Sequence, residues 1–385
     1  MFKILKQNQK HFSMYAVLIL IFVVFGFMTD FINFAPRNIT NLVIQNSYIL
    51  ILATGMVLVI ITGKIDLSVG SVVALTGAIA AWAYNKTDGS MLSAVTIALF
   101  AGVVIGAVQG YWVAYLKVPA FIVTLGGMLG WRGLTYIFTD IQPIGLMDDG
   151  FKTITTGFVN PVFMDAKNFA LLLGIVVVGL MLTSDWMRRQ KRVKLGFDNL
   201  PLPLFALKNL FVAAVVMWVF YKFSMDRGVP IIICLIAVLV VAMTYVMNNT
   251  VFGRNVYAIG GNAKAAKLSG INAERTEFYV FVLMGVLAAL AGVVFTAYMN
   301  QAQPAAGNMF ELDAISAVFI GGASATGGVG TILGSIIGGL VMGVINNGMS
   351  LMSLGQEYQL VVKAVVLLVA VWYDLYNNTT ALTTN

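Results

Sequence analysis

The sequence predicts an all-α polytopic membrane protein, a helical bundle with about 10–12 transmembrane segments. Of its 385 residues, 59% are hydrophobic and only 39 are charged, 23 of them basic and 16 acidic. A soluble domain carries roughly 25% charged residues, so this chain has too few to cover a surface that faces water. These observations exclude a soluble enzyme and a nucleic-acid-binding protein.

Apolar runs long enough to cross a bilayer recur along the whole chain. The first nine cover approximately residues 14–28, 48–63, 67–84, 93–115, 119–138, 169–184, 205–222, 229–247 and 277–298. A glycine-broken stretch follows at 312–346, and a last run covers 357–374. The broken stretch could be a re-entrant half-helix plus one span, or two spans. We expect residues 1–385 to form a single transmembrane domain.

The basic residues predict the orientation of the chain. They cluster in the N-terminal tail, in the loop after the sixth run and in the loop after the eighth run (Lys3, Lys6, Lys10; Arg188, Arg189, Lys191, Arg192, Lys194; Arg254, Lys264, Lys267, Arg275). Cytoplasmic loops of membrane proteins carry an excess of lysine and arginine. We therefore expect a cytoplasmic tail at 1–13 and a cytoplasmic loop at 249–276. The C-terminal tail has no basic residue after Asp374, and its side is left open.

Glycines at four-residue spacing predict close helix packing. One ridge contains Gly102, Gly106 and Gly110, and a second pairs Gly334 with Gly338 and Gly339 with Gly343. Small residues let helix backbones approach each other in lipid. The two ridges lie in similar segments of the two halves of the chain, which indicates a weak internal pseudo-repeat of the kind common in transporters. Generic helix packing explains the glycines equally well.

A few polar residues at membrane depth are candidates for lining a translocation pathway. A charge inside the bilayer is costly unless it faces water or a partner. Asp66 and Ser68 follow a turn and could cap the next helix, with Lys64 offsetting the carboxylate, or they could line the pathway. Asp313 opens the broken stretch together with Glu311. Gln109 and Asn346 accompany the two glycine ridges and complete the predicted pathway set.

The amino-acid composition gives little support for disulfides, metal binding or catalysis. The chain has one cysteine, Cys234, and one histidine, His11, so a disulfide framework, a metal site or a catalytic triad is not expected. No phosphate-binding P-loop motif occurs. We expect no cofactor and no enzymatic activity. If ATP drives this protein, another chain must bind it.

The segment 250–271 predicts a short cytoplasmic helix. Gly260 and Gly261 favour a turn, Asn262 is a good N-cap, and Ala263 to Ser269 favour a helix. Gly270 can adopt the left-handed conformation that ends a helix. Alanines at 263, 265 and 266 would give a small apolar face that could dock into a groove on a cytoplasmic partner. A plain loop helix is the alternative.

Several segments in order resemble the permeases of monosaccharide ABC importers. They are Gly253–Asn262 (GRNVYAIGGN), Ala265–Ile271 (AAKLSGI), Ile65–Ser71 (IDLSVGS), Val118–Gly127 (VPAFIVTLGG) and Ile320–Gly330 (IGGASATGGVG). The resemblance extends from about residue 48 to 375. An insert around 185–210 is most similar to the xylose and multiple-sugar branch of that family.

The resemblance implies a homodimeric permease of the bacterial inner membrane that imports a monosaccharide, with xylose or a related pentose favoured. It also implies a cytoplasmic ATPase and a periplasmic sugar-binding protein as partners, membrane lipid as surroundings, and no nucleic acid. The ATPase would dock on Asn262, Ala265, Ala266, Leu268, Ser269, Gly270 and Ile271. The family does not assign the pathway residues Asp66, Ser68, Gln109, Asp313 and Asn346. An ion-coupled secondary transporter using Asp66, Glu311 and Asp313 is the alternative.

Overall fold

A computed structural model describes residues 2–196 and 200–383 of the protein. The described residues contain fifteen α-helices, a short 3-10 helix at Ile32–Phe34 and two strands of two residues each. The α-helices are α1 (Phe2–Met28), α2 (Pro36–Gln45), α3 (Ser47–Ile61), α4 (Val69–Lys86), α5 (Met91–Ala114), α6 (Ala120–Thr139), α7 (Thr153–Thr156), α8 (Ala166–Lys194), α9 (Leu202–Met225), α10 (Ile231–Asn249), α11 (Val251–Leu268), α12 (Ala273–Met299), α13 (Phe310–Ile320), α14 (Ile332–Leu351) and α15 (Gln356–Thr383). The strands β1 (Ile144–Gly145) and β2 (Gln301–Ala302) pair antiparallel. The predicted polytopic helical bundle is confirmed.

Fewer helices than expected pass as full membrane spans. Within the described residues, eight helices are long and apolar enough to cross a membrane, or nine if α2 and α3, bent by 44°, count as one span. Two of the predicted spans are not among these helices. The apolar part of α1 that the structure describes is short. Helix α4 ends in the polar residues Asn85 and Lys86. The side chains of residues 1–13, the expected cytoplasmic tail that contains His11, are outside the part of the protein that the structure describes. The placement of that tail stays a prediction.

The centre of the bundle is α3, whose residues are all buried. It packs against α12, α13 and α14, and α12 packs in turn against α4 and α5. The most apolar 18-residue windows of α12 and α14 are 61% and 78% buried inside the protein. A helix that is hydrophobic on all sides is expected in such an interior position.

The glycine ridges are the contact surfaces between these inner helices, as predicted. A Cβ atom at Gly102 of α5 would lie 2.5 Å from the carbonyl oxygen of Gly285 on α12. The same atom at Gly285 would meet the backbone of Gly102 and Gly106. The second ridge packs α14 on α13, because Gly338 lies directly against the carbonyl of Ala317. Backbones at such short range leave no room for side chains.

The α8–α9 hairpin lies outside this centre. Only 11% and 6% of the apolar windows of α8 and α9 are buried. The two helices pack mainly on each other, and a small cluster that includes Ile39, Phe220 and Phe223 joins α9 to α2. Most of the hairpin surface is therefore not covered by the rest of this chain.

The glycine-broken stretch at 312–346 was expected to be either a re-entrant half-helix plus one span or two spans, and the structure combines features of both. Helix α13 has 11 residues and is about 16 Å long, half of a bilayer span. The glycine-rich segment 321–330 then continues to the end of the bundle where α3 meets α11, since the Gly328 N–H donates to the Ile61 carbonyl at 2.8 Å. Helix α14 returns from that end. Asp374 of α15 accepts a hydrogen bond from Ala325 N, so the end of α15 lies on the same side as α11.

Candidate translocation and coupling sites

The first polar cluster joins Asp66, Ser68 and Gln109, all three of which belong to the predicted pathway set. Asp66 lies between α3 and α4 and is 2% exposed. Its Oδ1 accepts hydrogen bonds from the backbone N–H of Ser68 at 2.8 Å and from the Ser68 hydroxyl at 2.6 Å. The side-chain amide of Gln109 on α5 donates to Ser68 Oγ at 2.7 Å. Asp66 thus hydrogen-bonds Ser68, the residue directly before α4, and is linked through Ser68 to α5. In the part of the chain that the structure describes, no side chain accepts a hydrogen bond from the first turn of α4, so the expected cap is not formed.

Lys64 does not offset Asp66, so that expectation is wrong. Its Nζ lies 2.7 Å from Oε1 of Glu277 on α12. The chain turns at Gly63, which has a φ of +73°, and Lys64 follows this turn toward α12. Asp66 therefore depends on the Ser68 hydrogen bonds rather than on a neighbouring cation.

Helix α6 approaches the first cluster through a glycine. A Cβ atom at Gly127 would lie 2.5 Å from Gln109 Nε2 and 3.1 Å from the indole nitrogen of Trp131. The Trp131 N–H is buried and has no hydrogen-bond partner among the described residues. Three donors and acceptors of neutral character, from serine, glutamine and tryptophan, therefore meet at one point between α4, α5 and α6. Such groups suit hydroxyl-rich ligands.

The second polar cluster forms around Asp313 on α13, which is 1% exposed. Lys363 on α15 places its Nζ 2.8 Å from Oδ1 and 2.9 Å from Oδ2 of Asp313. The hydroxyl of Tyr48 on α3 donates to Oδ2 at 3.3 Å. The side chain of Asn346 on α14 lies beside Asp313. The cluster joins four helices, and it brings together the predicted residues Asp313 and Asn346.

Lys363 and Tyr48 were missing from the predicted set. Lys363 interrupts the last apolar run, 357–374, and a lone charge in a span is itself a signal of function or pairing. The sequence therefore held enough information to single out Lys363. Nothing in the pattern around Tyr48 distinguishes its hydroxyl from that of any other tyrosine.

A third group of contacts joins α6 to the loop before α13, and α13 to the start of α4. Arg132 on α6 donates through Nη1 to the carbonyls of Pro304 at 2.8 Å and Ala306 at 2.6 Å. The carboxylate of Glu311 lies against Gly70 at the start of α4, where a Cβ atom would be 2.5 Å from Oε2. Asp66, Glu311 and Asp313 thus have different neighbours. Among the described residues, no three acidic, histidine or cysteine side chains converge as a metal ion would require.

Helix α11 contains the expected coupling segment, with one difference in its geometry. The predicted cap is present, because Asn262 Oδ1 accepts a hydrogen bond from Ala265 N at 3.0 Å. Gly270 has a φ of +82° and ends the helix as expected. The predicted turn at Gly260 and Gly261 is wrong, since both residues continue a helix that begins at Val251. The bend falls at Asn262, whose φ of −161° and ψ of 99° are not helical.

The short helix after the bend presents an exposed apolar residue. Leu268 is 90% exposed, whereas Ala266 is 5% exposed and packs with Ile259 and Ala273. Ala266 therefore holds the short helix against the rest of the loop. The exposed members of the expected docking set are Asn262, Ala265, Leu268, Ser269 and Gly270.

The first half of α11 touches the bundle at a backbone junction formed by Ile61, Gly260 and Gly328. A Cβ atom at Gly260 would overlap the carbonyl oxygen of Ile61 and would lie 2.6 Å from the Gly328 nitrogen. At Gly261, one residue later, a Cβ atom would meet nothing within 4 Å. The backbone junction is two residues from Gly63, where the chain turns toward Asp66. The coupling segment is thereby joined to the first polar cluster by a short stretch of main chain.

Two side chains hold the glycine-rich segment at this junction. The hydroxyl of Tyr257 on α11 donates to the Gly330 carbonyl at 2.8 Å. Asp374 accepts hydrogen bonds from the Ser324 hydroxyl at 3.2 Å and from the Ala325 N–H at 3.0 Å. The segment lies beside α11, and its backbone groups bond to protein, as loops buried in a membrane protein require.

Comparison with known proteins supplies the family. Residues 38–371 match the family described as branched-chain amino acid transport system / permease component. The chain belongs to this permease family. It is therefore a multi-pass membrane transport protein.

Individual relatives match over almost the full length. The xylose transport system permease protein of Haemophilus influenzae is 39% identical over 378 residues, covering 98% of this chain and 99% of the relative. The xylose transport system permease protein of Escherichia coli is 36% identical over 367 residues, covering 95% and 92%. The ribose import permease protein of E. coli is 37% identical over 362 residues, covering 94% and 92%. No solved structure matches.

Proposed function

We propose that this chain is the permease subunit of an ATP-binding-cassette importer for a monosaccharide, with xylose or a related pentose as the substrate. The observation that carries this proposal is the full-length similarity to permeases named for xylose and for ribose, both of which are pentoses. The neutral donors and acceptors at Ser68, Gln109 and Trp131 fit a hydroxyl-rich ligand. The Asp66 carboxylate beside them is hydrogen-bonded twice to Ser68, and a carboxylate can also accept a hydrogen bond from a sugar hydroxyl.

The assembly we propose follows from the same similarity. Two copies of the chain lie in the bacterial inner membrane, with the N-terminus, the α11 loop and the end of α15 in the cytoplasm. A separate ATPase binds ATP on that side, and a sugar-binding protein delivers the substrate from the periplasm. The chain itself has no enzymatic activity and holds no cofactor. Residues 1–385 act as a single transmembrane domain.

The coupling mechanism uses the exposed short helix of α11. Closure of the ATPase dimer pushes on Asn262 to Ile271, and the bend at Asn262 transmits the push to the first half of α11. Because Gly260 lies directly on Ile61 and Gly328, this half cannot move without moving the end of α3 and the glycine-rich segment. The turn at Gly63 then carries the displacement to Asp66, Ser68 and Gln109, which we propose to line the pathway. Asp313 and Asn346 form its second polar point.

Reconstitution tests the proposal. The purified chain is placed in liposomes with its ATPase and its sugar-binding protein, and uptake of radiolabelled xylose, ribose and a hexose is measured with and without ATP. We expect ATP-dependent uptake, with xylose or ribose preferred. Uptake driven by an imposed proton or sodium gradient, without the ATPase, would support the secondary transporter with Asp66, Glu311 and Asp313 as ion sites and would contradict the proposal.

A single exposed leucine tests the docking surface. Leu268→Glu puts a charge on the short helix, and we expect it to weaken ATPase co-purification about tenfold, as loss of one apolar interface anchor does. Leu195→Glu is the matched control, because Leu195 is 71% exposed in the other loop that is predicted to be cytoplasmic. Equal ATPase recovery for the two variants would show that Leu268 is not part of the docking surface.

A further inference from the structure

An apolar groove runs between the two helices of the outer hairpin. Its volume is about 1010 Å³, and its walls include Leu182, Trp186, Leu202, Phe205 and Leu210. The groove lies in the half of the hairpin next to the α8–α9 loop, and it opens toward the lipid because α8 and α9 are little buried. An exposed apolar surface of this kind is unfavourable in water.

Basic side chains stand at the loop end of this groove. Arg188, Lys191 and Lys194 follow the last groove residue of α8, Met187, within two helical turns and are exposed. From Asp185 to Lys208 the sequence has six basic residues and two acidic ones, one of which, Asp198, lies outside the described residues. Asp185 pairs with Lys208 at 3.0 Å. The exposed end of the groove therefore has a clear positive excess.

Arg189 connects the basic end to the apolar wall. Its Nη1 donates to the carbonyl of Leu200 at 2.6 Å, and its guanidinium lies 4.7 Å from the ring centroid of Phe205. This side chain bridges α8 to the start of α9 and fixes the spacing of the two helices at the groove mouth. Lys191 and Lys194 follow Met187 by four and seven residues and so lie on the side of α8 that continues the groove wall, whereas Arg188 lies on the opposite side of the helix.

We propose that this groove binds one anionic phospholipid, with its acyl chains against the apolar walls and its phosphate at Lys191 and Lys194. Basic pockets between transmembrane helices select anionic head groups, whereas an apolar groove alone accepts any lipid. The charge pattern decides between a lipid and a second protein helix, because a helix crossing the bilayer here would present apolar residues to the groove and no anion to its basic end. The proposal does not depend on the transported substrate.

Native mass spectrometry of the detergent-purified full chain tests the site. The chain is titrated with phosphatidylglycerol or with phosphatidylcholine of identical acyl chains, and bound lipids are counted. We expect one phosphatidylglycerol per chain to bind about tenfold more tightly than phosphatidylcholine, since each lysine or arginine near an anionic head group adds attraction. Equal binding of the two lipids would overturn the proposal, as would displacement of the lipid by glycerol phosphate.

Two variants with the same change in charge locate the site. Lys191→Gln with Lys194→Gln should abolish the preference for phosphatidylglycerol. The control replaces Lys86 and Lys167 by glutamine, and these exposed residues lie away from the groove at helix ends near the opposite side of the bundle. The control should keep the preference. An equal loss of the preference in both variants would show that it arises from the total charge of the protein, and would overturn the proposed site.

A third variant fills the groove and leaves its charges intact. Ala206→Phe with Ala213→Phe places two rings among the groove walls on a lipid-facing surface. We expect the tightly bound phosphatidylglycerol to be lost while the melting temperature in detergent is retained. A disulfide between two chains carrying Ala206→Cys, formed in membranes, would show that a second copy covers the groove and would overturn the proposal.

Discussion

The inner helix α12 and the outer helix α8 differ much more in their surroundings than in their hydrophobicity. Their most apolar windows have mean hydropathies of 2.6 and 2.0, yet 61% of the first and 11% of the second is buried in protein. Both contain glycine, but Gly285 of α12 meets the backbone of α5, and a Cβ atom at Gly179 of α8 would meet nothing within 4 Å. In a membrane, apolarity places a helix in the bilayer, and small residues decide which helices touch.

The largest expected effect comes from the inner glycine. Gly285→Leu forces a side chain into the backbone of Gly102 and Gly106, and overpacking of this kind should cost at least about 3 kcal/mol of stability. Gly179→Leu adds the same side chain on the lipid face and should be neutral. Amounts of folded protein extracted from membranes measure both variants. Equal recovery of the two would refute the contrast between the inner and outer helices.

A buried and a partly exposed lysine–aspartate pair give the next largest difference. Lys363→Met leaves Asp313 buried without its cation, which typically costs about 3–5 kcal/mol for a buried pair. Lys208→Met breaks the pair with Asp185, whose two side chains are 38% and 32% exposed, and should cost less than about 1 kcal/mol. Thermal unfolding in detergent compares them. Partial recovery when Asp313→Asn is added to Lys363→Met would show that the unpaired charge causes the loss.

Gly260 and Gly261 of α11 allow a packed glycine and an unpacked glycine to be compared within one helix. Gly260→Ala pushes α11 off Ile61 and Gly328, and we expect transport per ATP hydrolysed to fall about tenfold, equivalent to roughly 1.4 kcal/mol of coupling. Gly261→Ala has open space around it and should transport normally. Uptake and phosphate release are measured in the same proteoliposomes. Unchanged stoichiometry in Gly260→Ala, with the protein folded, would contradict the role of the backbone junction.

The smallest effect concerns the loop opposite α11. A hydrogen bond from the Tyr84 hydroxyl at 2.7 Å, helped by one from the Gly150 N–H, holds the pKa of Asp148 below its ordinary value. The stability that this carboxylate contributes is present above its unfolded pKa of about 3.9 and is lost as the pH falls through the folded pKa. Tyr84→Phe should raise that pKa and flatten the acid dependence of the melting temperature below about pH 5. Tyr358→Phe, at a residue that is 61% exposed, is the control.

Local features of the polar clusters followed from the sequence. Asp66 and Ser68 form their hydrogen bonds two residues apart, and Asn262 caps the helix that begins directly after it, so neighbours in sequence sufficed. The glycine ridges were also recognisable, because four-residue spacing places Gly102 and Gly106 on one face of a helix. The sequence could not reveal that Gly285 receives this ridge.

The sequence could not show which charged residues form ion pairs when the two residues lie far apart along the chain. Lys64 is close to Asp66 along the chain, but it pairs with Glu277 because the turn at Gly63 directs it to α12. Lys363 pairs with Asp313, 50 residues away in the sequence, and the choice depends on how α15 lies against α13. The extended course of the glycine-rich segment also depends on how the helices pack. Its hydrogen bonds to Tyr257 and Asp374 exist only once the helices are assembled.

The bond between Asp374 and the glycine-rich segment has a practical consequence for handling the protein. It fastens the last helix to the place where α11 meets the bundle, so the C-terminus is mechanically connected to the coupling segment. Shortening the chain is expected to be tolerated only if the cut falls after Asp374. A fluorescent reporter fused beyond that residue would then sense movements of α11 during the transport cycle, without any label on the docking surface itself.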